Sequence, residues 1–321
     1  MNNLIDPKHG PTKDTVFSLL RILVTIGLLT AVAYWIGLSN IWNSLWSFNW
    51  KYLPAVLFWM LLMLFASAVN IFVTVYPIRF ISLGSVCKDY LLAWSAGFFG
   101  LGKVGELSIV YWLSKEGISL GESTAVAVLD KAITFVTLLL LSGIGLVYFF
   151  GWSQGLELLA LGVIGLLGFA IIFFTSFGRR IIRSMIQSYA SRFEGFGATI
   201  DRFFSNYKKF LVVNLMLTLV RWLAQAMFTL VLLESFGVSL PLVPILLANS
   251  VATLVSLLPV SINGLGVKEA SFTAIAQSQN WPLASVASMI AVSLALHYAL
   301  LGLILAVFAR ELHTTKRGVV S

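Results

Sequence analysis

Charge is what this chain has least of. Only 13 acidic and 21 basic side chains occur in 321 residues, 11% of the total, where a soluble domain carries about one quarter. No polar segment is long enough to bury a core of its own, which excludes a separate soluble domain. The single cysteine, Cys87, excludes an intrachain disulfide and a cysteine-based zinc site. No acidic pair shows a metal-binding pattern and no nucleotide motif is present, so neither metal nor cofactor is expected. The net charge of +8 would point to nucleic acid in a soluble protein. Here it reads as basic cytoplasmic loops, and no nucleic-acid partner is expected.

What is there is apolar sequence. Hydrophobic residues make up 59% of the chain, and they fall into runs long enough to cross a bilayer, which takes about 20 residues. The fold class is therefore all-α: a polytopic helical membrane protein. Spans are expected over residues 16–38, 53–76, 124–150, 156–174, 211–236 and 285–309. Residues 1–15 form a polar tail, 16–310 one membrane domain and 311–321 a second tail. Residues 178–210 carry seven Lys/Arg against Glu194 and Asp201, with apolar residues at helical spacing. They read as an amphipathic surface helix, either binding anionic lipid or serving as an ordinary cytoplasmic loop. Placing that loop in the cytoplasm puts both termini there too, in a cell membrane protein.

Two stretches break the apolar pattern. One runs Gly97-Phe98-Phe99-Gly100-Leu101-Gly102-Lys103-Val104-Gly105-Glu106. The other runs Leu258-Pro259-Val260-Ser261-Ile262-Asn263-Gly264-Leu265-Gly266-Val267-Lys268-Glu269. Proline removes a helical hydrogen bond and glycine loosens the backbone, so Gly102, Gly105, Pro259, Gly264 and Gly266 are candidate hinges. Broken backbone survives in hydrocarbon only where protein or trapped water satisfies it. The run before the first break, 87–99, reaches only about 20 Å as a helix, short of the roughly 30 Å core. Each stretch is therefore expected at the tip of a re-entrant helical hairpin. Counted from the cytoplasmic loop, the hairpins enter from opposite sides, as an inverted repeat requires. The expected architecture is six full spans plus two broken hairpins; eight spans is the alternative.

Charges inside such sequence are candidate sites. Glu106 and Glu269 read as proton-coupling or headgroup-amine groups, or as salt bridges holding the hairpins. Lys103 and Lys268 adjoin glycines at half-helix starts, where a lipid phosphate would suit, or they snorkel to the interface. Arg221 lies mid-span and calls for a carboxylate or a phosphate, with Glu106, Asp130 or Glu269 as carboxylate candidates. Asp130 and Lys131 read as a pair structuring the first hairpin. His297 is a core histidine or a proton relay.

The second stretch, with its Pro259, Gly264-Leu265-Gly266 and Val267-Lys268-Glu269, resembles the flippase-like family named for the lysylphosphatidylglycerol synthase membrane region. Gly105-Glu106 resembles that family's first Gly-Glu element, and the resemblance covers about residues 15–310. Phe98-Phe99 stands where a proline is frequent, and Ile109-Val110 where an arginine often follows the Glu. Asp130-Lys131 replaces Glu-Arg, and Ser293 and His297 lie where the last helix often carries an arginine. The resemblance implies a lipid flippase or lipid-carrier transporter acting on an anionic or phosphate-bearing lipid. A membrane glycosyltransferase or other lipid-modifying enzyme is the first alternative. A non-transporting scaffold for a lipid-pathway enzyme is the second. Without the soluble aminoacyl-transfer segment of the two-part synthases, synthesis of lysyl-lipid is not expected.

Overall fold

The structure, a computed structural model, describes residues 38–98, 106–153, 155–157, 194–257, 261 and 263–308, with isolated residues at 30, 34, 160, 163 and 164. The expected first span, the fourth (156–174) and both tails lie wholly or largely outside the described residues, as does 178–193 of the basic loop. Gly102, Lys103, Gly105 and Pro259 also fall outside them.

Among the described residues there is no strand. The helices are α1 (Leu38–Leu45), α2 (Leu53–Val75), α3 (Leu83–Gly97), α4 (Ile109–Lys115) and α5 (Leu120–Phe150). They continue with α6 (Phe196–Ser205), α7 (Lys208–Ser235), α8 (Leu242–Val255), α9 (Val267–Ser278) and α10 (Leu283–Val307). Among the described residues, four segments are long and apolar enough to cross a membrane: α2 with the preceding turn, α5, α7 and α10. The protein is a multi-pass helical membrane protein.

Local chemistry sets the helix starts. Ser119 caps α5: its hydroxyl accepts from the Glu122 amide at 3.2 Å, and the Glu122 carboxylate accepts from the Ser119 amide at 3.4 Å. This reciprocal pair satisfies two orphan donors and starts α5 at Leu120, four residues ahead of the expected Thr124. Ser82 caps α3 in the simpler way, accepting from Ser85 N at 3.1 Å.

Helix α7 is polar inside and apolar outside. Val212, Met216, Leu219 and Leu223 are exposed at helical spacing, a stripe suited to lipid chains. On the opposite side lie Asn214, Thr218, Arg221, Gln225 and Thr229, also at helical spacing. α7 packs antiparallel along α2. Asn49 N donates to Ser235 O at one end, and Asn214 meets Thr74 at the other.

A buried polar cluster holds these helices to α5. Asn214 Nδ2 donates to Thr74 Oγ1 (3.1 Å), Asn70 O (3.3 Å) and Asp130 Oδ1 (3.3 Å), and Asn70 Nδ2 donates to Thr218 Oγ1 (3.1 Å). Asn214 and Thr218 are wholly buried. Removing the amide would leave a buried carboxylate and a hydroxyl short of donors. Asn214→Ala is therefore expected to destabilise the protein by about 2–4 kcal/mol, read as a lowered unfolding midpoint in detergent.

The remaining short helices form two hairpins. α3 and α4 flank the first break; α8 and α9 flank the second and pack on each other. Their 15, 7, 14 and 12 residues span about 22, 10, 21 and 18 Å, so no single arm crosses the hydrocarbon core. Gly145 lets α5 approach α8 closely: a Cβ there would lie 2.9 Å from Val251 Cγ2 and 3.1 Å from Leu247 O. The described part of the basic loop contains α6, whose Ile200 and Phe203 are buried with Ala125 and Leu129 of α5. Ile200 and Phe203 are thus covered by protein, while Phe204 stays exposed.

Candidate functional site

Residues flanking the first break and the described tip of the second hairpin line one cavity of about 600 Å³. Gly97, Phe98 and Glu106 reach it from the first hairpin. Asn263, Gly264, Lys268 and Glu269 reach it from the second. Lys131 of α5, Arg221 of α7 and His297 of α10 add further basic side chains to its wall. Of the described candidates, only Asp130 and Gly266 do not line it. Asp130 is turned into the Asn214 cluster, and Gly266 lies directly behind the tip.

The tip of the second hairpin is held by its own backbone. Asn263, Gly264 and Gly266 have φ of 51°, 72° and 81°, the left-handed region that glycine enters without cost. The turn folds back on the C-terminal cap of α8. A Cβ on Gly264 would lie 2.7 Å from Ser256 Cβ and 2.8 Å from Ser256 O. Glu269 then closes the start of α9: its Oε2 accepts from Gly266 N at 2.7 Å. A carboxylate at this third helical position also suits the positive end of the helix dipole. Glu269 is therefore at least a structural cap, and it is buried.

Glu106 finds its partner on α5. Lys131 Nζ lies 2.5 Å from Glu106 Oε2 and 3.8 Å from Asp130 Oδ2. Lys131 thereby ties the return of the first hairpin to the helix that carries the polar cluster. Arg221 is placed differently. Its guanidinium donates to Thr134 Oγ1 at 3.3 Å, and among the described residues no carboxylate is within ion-pair distance of it. The same holds for Lys268. His297 is held from its own helix, with Nδ1 2.7 Å from Ser293 O, and its ring packs edge-on to Phe228.

Three cations and two carboxylates therefore face one cavity. Lys131 is matched by Glu106, and Glu269 by a backbone amide. Arg221 and Lys268 remain as cations directed at the space between the hairpins, an arrangement suited to an anionic group.

The model of the family described as the lysylphosphatidylglycerol synthase TM region matches residues 18–309. The chain belongs to that family. No curated protein matches it. Membership of the lysylphosphatidylglycerol synthase TM region family gives the protein a membrane-lipid-related function, and the matched span contains both hairpins and the whole cavity wall.

In this member of the family, several wall residues escape a reading based on charge. Tyr90 and Trp94 come from α3, Gln225 and Thr229 from α7, and Asn249 and Thr253 from α8. Asn249 Nδ2 donates to Thr229 Oγ1 at 3.0 Å, joining α8 to α7. The signal that would have found the α7 group is its polar stripe, which runs from the Asn214 cluster through Arg221 to Thr229.

Proposed function

We propose that the protein is a lipid flippase or lipid-carrier transporter that moves an anionic, phosphate-bearing lipid across the cell membrane without ATP. One observation carries this reading. Arg221 and Lys268 line a single cavity beside the two breaks, with no carboxylate within ion-pair distance of either among the described residues. A cation held out of water without a counter-charge is costly. A lipid phosphate would supply that charge while its chains stay among the apolar outer faces of α2, α5 and α7. The hairpins would act as the paired halves of an inverted repeat and expose the cavity to one leaflet and then the other.

Purified protein in vesicles containing a headgroup-labelled anionic phospholipid tests the reading. An impermeant quencher should reach label from both leaflets in protein-containing vesicles and only the outer leaflet in empty ones. Identical quenching in the two would reject transport. Turnover of a lipid-linked sugar donor without translocation would favour an enzyme.

The same proposal places both termini and the basic loop in the cytoplasm. With Cys87 replaced by Ala, a cysteine at the exposed Asn206 should resist an impermeant thiol reagent in intact cells and react after permeabilisation. Labelling of intact cells would reverse the orientation.

A further inference from the structure

Beside its charged wall, the cavity has an uncharged polar wall built by α7 and α8. Trp222 and Thr253 line the cavity and are each 4% exposed. The indole Nε1–H of Trp222 and the hydroxyl of Thr253 are buried without a hydrogen-bond partner among the described residues. Buried polar atoms are otherwise nearly always paired, and each unpaired one costs about 1–3 kcal/mol. Both are neutral. The side-chain amide of Gln225, on the same wall, makes no hydrogen bond to any described residue. The size of the space points the same way. About 600 Å³ lies within the range of sites that enclose drug-sized ligands, well beyond what a phosphate fills.

From this juxtaposition we infer that the uncharged wall reads a hydroxyl-rich group, a polyol or sugar, attached to the phosphate of the transported lipid. The inference rests on the anionic-lipid reading of the same cavity. Hydroxyls both donate and accept, so they match an indole donor, a threonine hydroxyl and an amide together. An ammonium headgroup matches them poorly, since an indole N–H cannot accept. The cavity carboxylates are in addition engaged by Lys131 and by Gly266 N. Ring faces suit the apolar side of such a group: Trp94 packs on Phe98 with ring centres 4.7 Å apart, and both line the cavity.

Equilibrium binding of three dioleoyl lipids to the detergent-purified full chain tests the inference. Phosphatidylmethanol carries one phosphate charge and no hydroxyl. Phosphatidylglycerol and phosphatidylinositol carry the same charge with a small polyol or a ring polyol. At least one polyol lipid is expected to bind about 25-fold tighter than phosphatidylmethanol, from two hydrogen bonds at a factor of about five each. The stronger of the two then tells a glycerol-like from a ring polyol. The double variant Trp222→Phe with Thr253→Val should bring that ratio close to one. Because the two deleted polar groups have no hydrogen-bond partner among the described residues, a merely structural role predicts no change in selectivity. Equal binding of all three lipids by the unmodified protein, or an unchanged ratio in the double variant, overturns the inference and leaves anionic-lipid binding intact. Failure of all three to bind overturns the anionic-lipid reading, and the inference with it.

Discussion

Arg221→Gln should lower lipid translocation by about 10- to 150-fold and leave the protein folded. A hydrogen bond to a charged group contributes about 1.5–3 kcal/mol, and each 1.4 kcal/mol is tenfold. Folding should survive because the substitution strands no acid among the described residues: the guanidinium donates to the Thr134 hydroxyl. Lys131→Gln provides the contrast. It leaves Glu106 without its 2.5 Å partner and should destabilise the protein by about 1–3 kcal/mol, a partly buried pair being worth less than a fully buried one. Translocation assays and melting curves on both variants separate the two roles. Melting of Arg221→Gln as severe as that of Lys131→Gln would make Arg221 a structural cation. Stability effects of Arg221→Gln and Glu269→Gln should add in the double variant, since Glu269 is engaged by Gly266 N rather than by Arg221.

The second large effect is expected at Gly264. Its φ of 72° costs any side chain about 1–2 kcal/mol. A new Cβ would also meet Ser256 Cβ at 2.7 Å and Ser256 O at 2.8 Å, and a backbone oxygen in a helix cap cannot move aside cheaply. Gly264→Ala is expected to destabilise by about 2–5 kcal/mol and to abolish translocation, because the tip that presents Lys268 would shift. Gly237 is the internal control. Its φ of 75° is nearly the same, but a Cβ there would meet nothing within 4 Å. Gly237→Ala should cost only the conformational strain, about 1–2 kcal/mol. Equal effects at the two positions would mean that close packing of the tip on α8 is unimportant.

The contrast between Arg221 and Gly264 shows what a single sequence conveys. Breaks in apolar sequence are local, so Gly264, Gly266, Lys268 and Glu269 stand out along the chain. Pairing across helices is not local, because it depends on how each helix is rotated. Arg221 was expected to find a carboxylate if it paired within the protein; it bonds Thr134, 87 residues away. The Asn70–Asn214–Asp130 cluster is invisible to hydropathy, since isolated Asn and Thr barely lower the average of a 28-residue helix such as α7. Read by helical spacing, the same residues form a stripe. Helix α5 began earlier than expected because Glu122 resembles a loop charge until its carboxylate is seen closing a cap over Ser119.

In transport, a lipid headgroup is expected to occupy the cavity beside the two breaks. Photocrosslinking in vesicles tests it most directly, using one anionic lipid with a diazirine in the headgroup and a second with the diazirine at mid-chain. Adducts are then mapped by peptide mass spectrometry. Headgroup adducts are predicted on the peptides carrying Arg221 and Lys268, with marked loss in Arg221→Gln. Mid-chain adducts are predicted on exposed outer residues such as Met216, Leu140 and Ile144. Headgroup adducts confined to the loops at the membrane surface, with the cavity peptides unlabelled, would contradict the account.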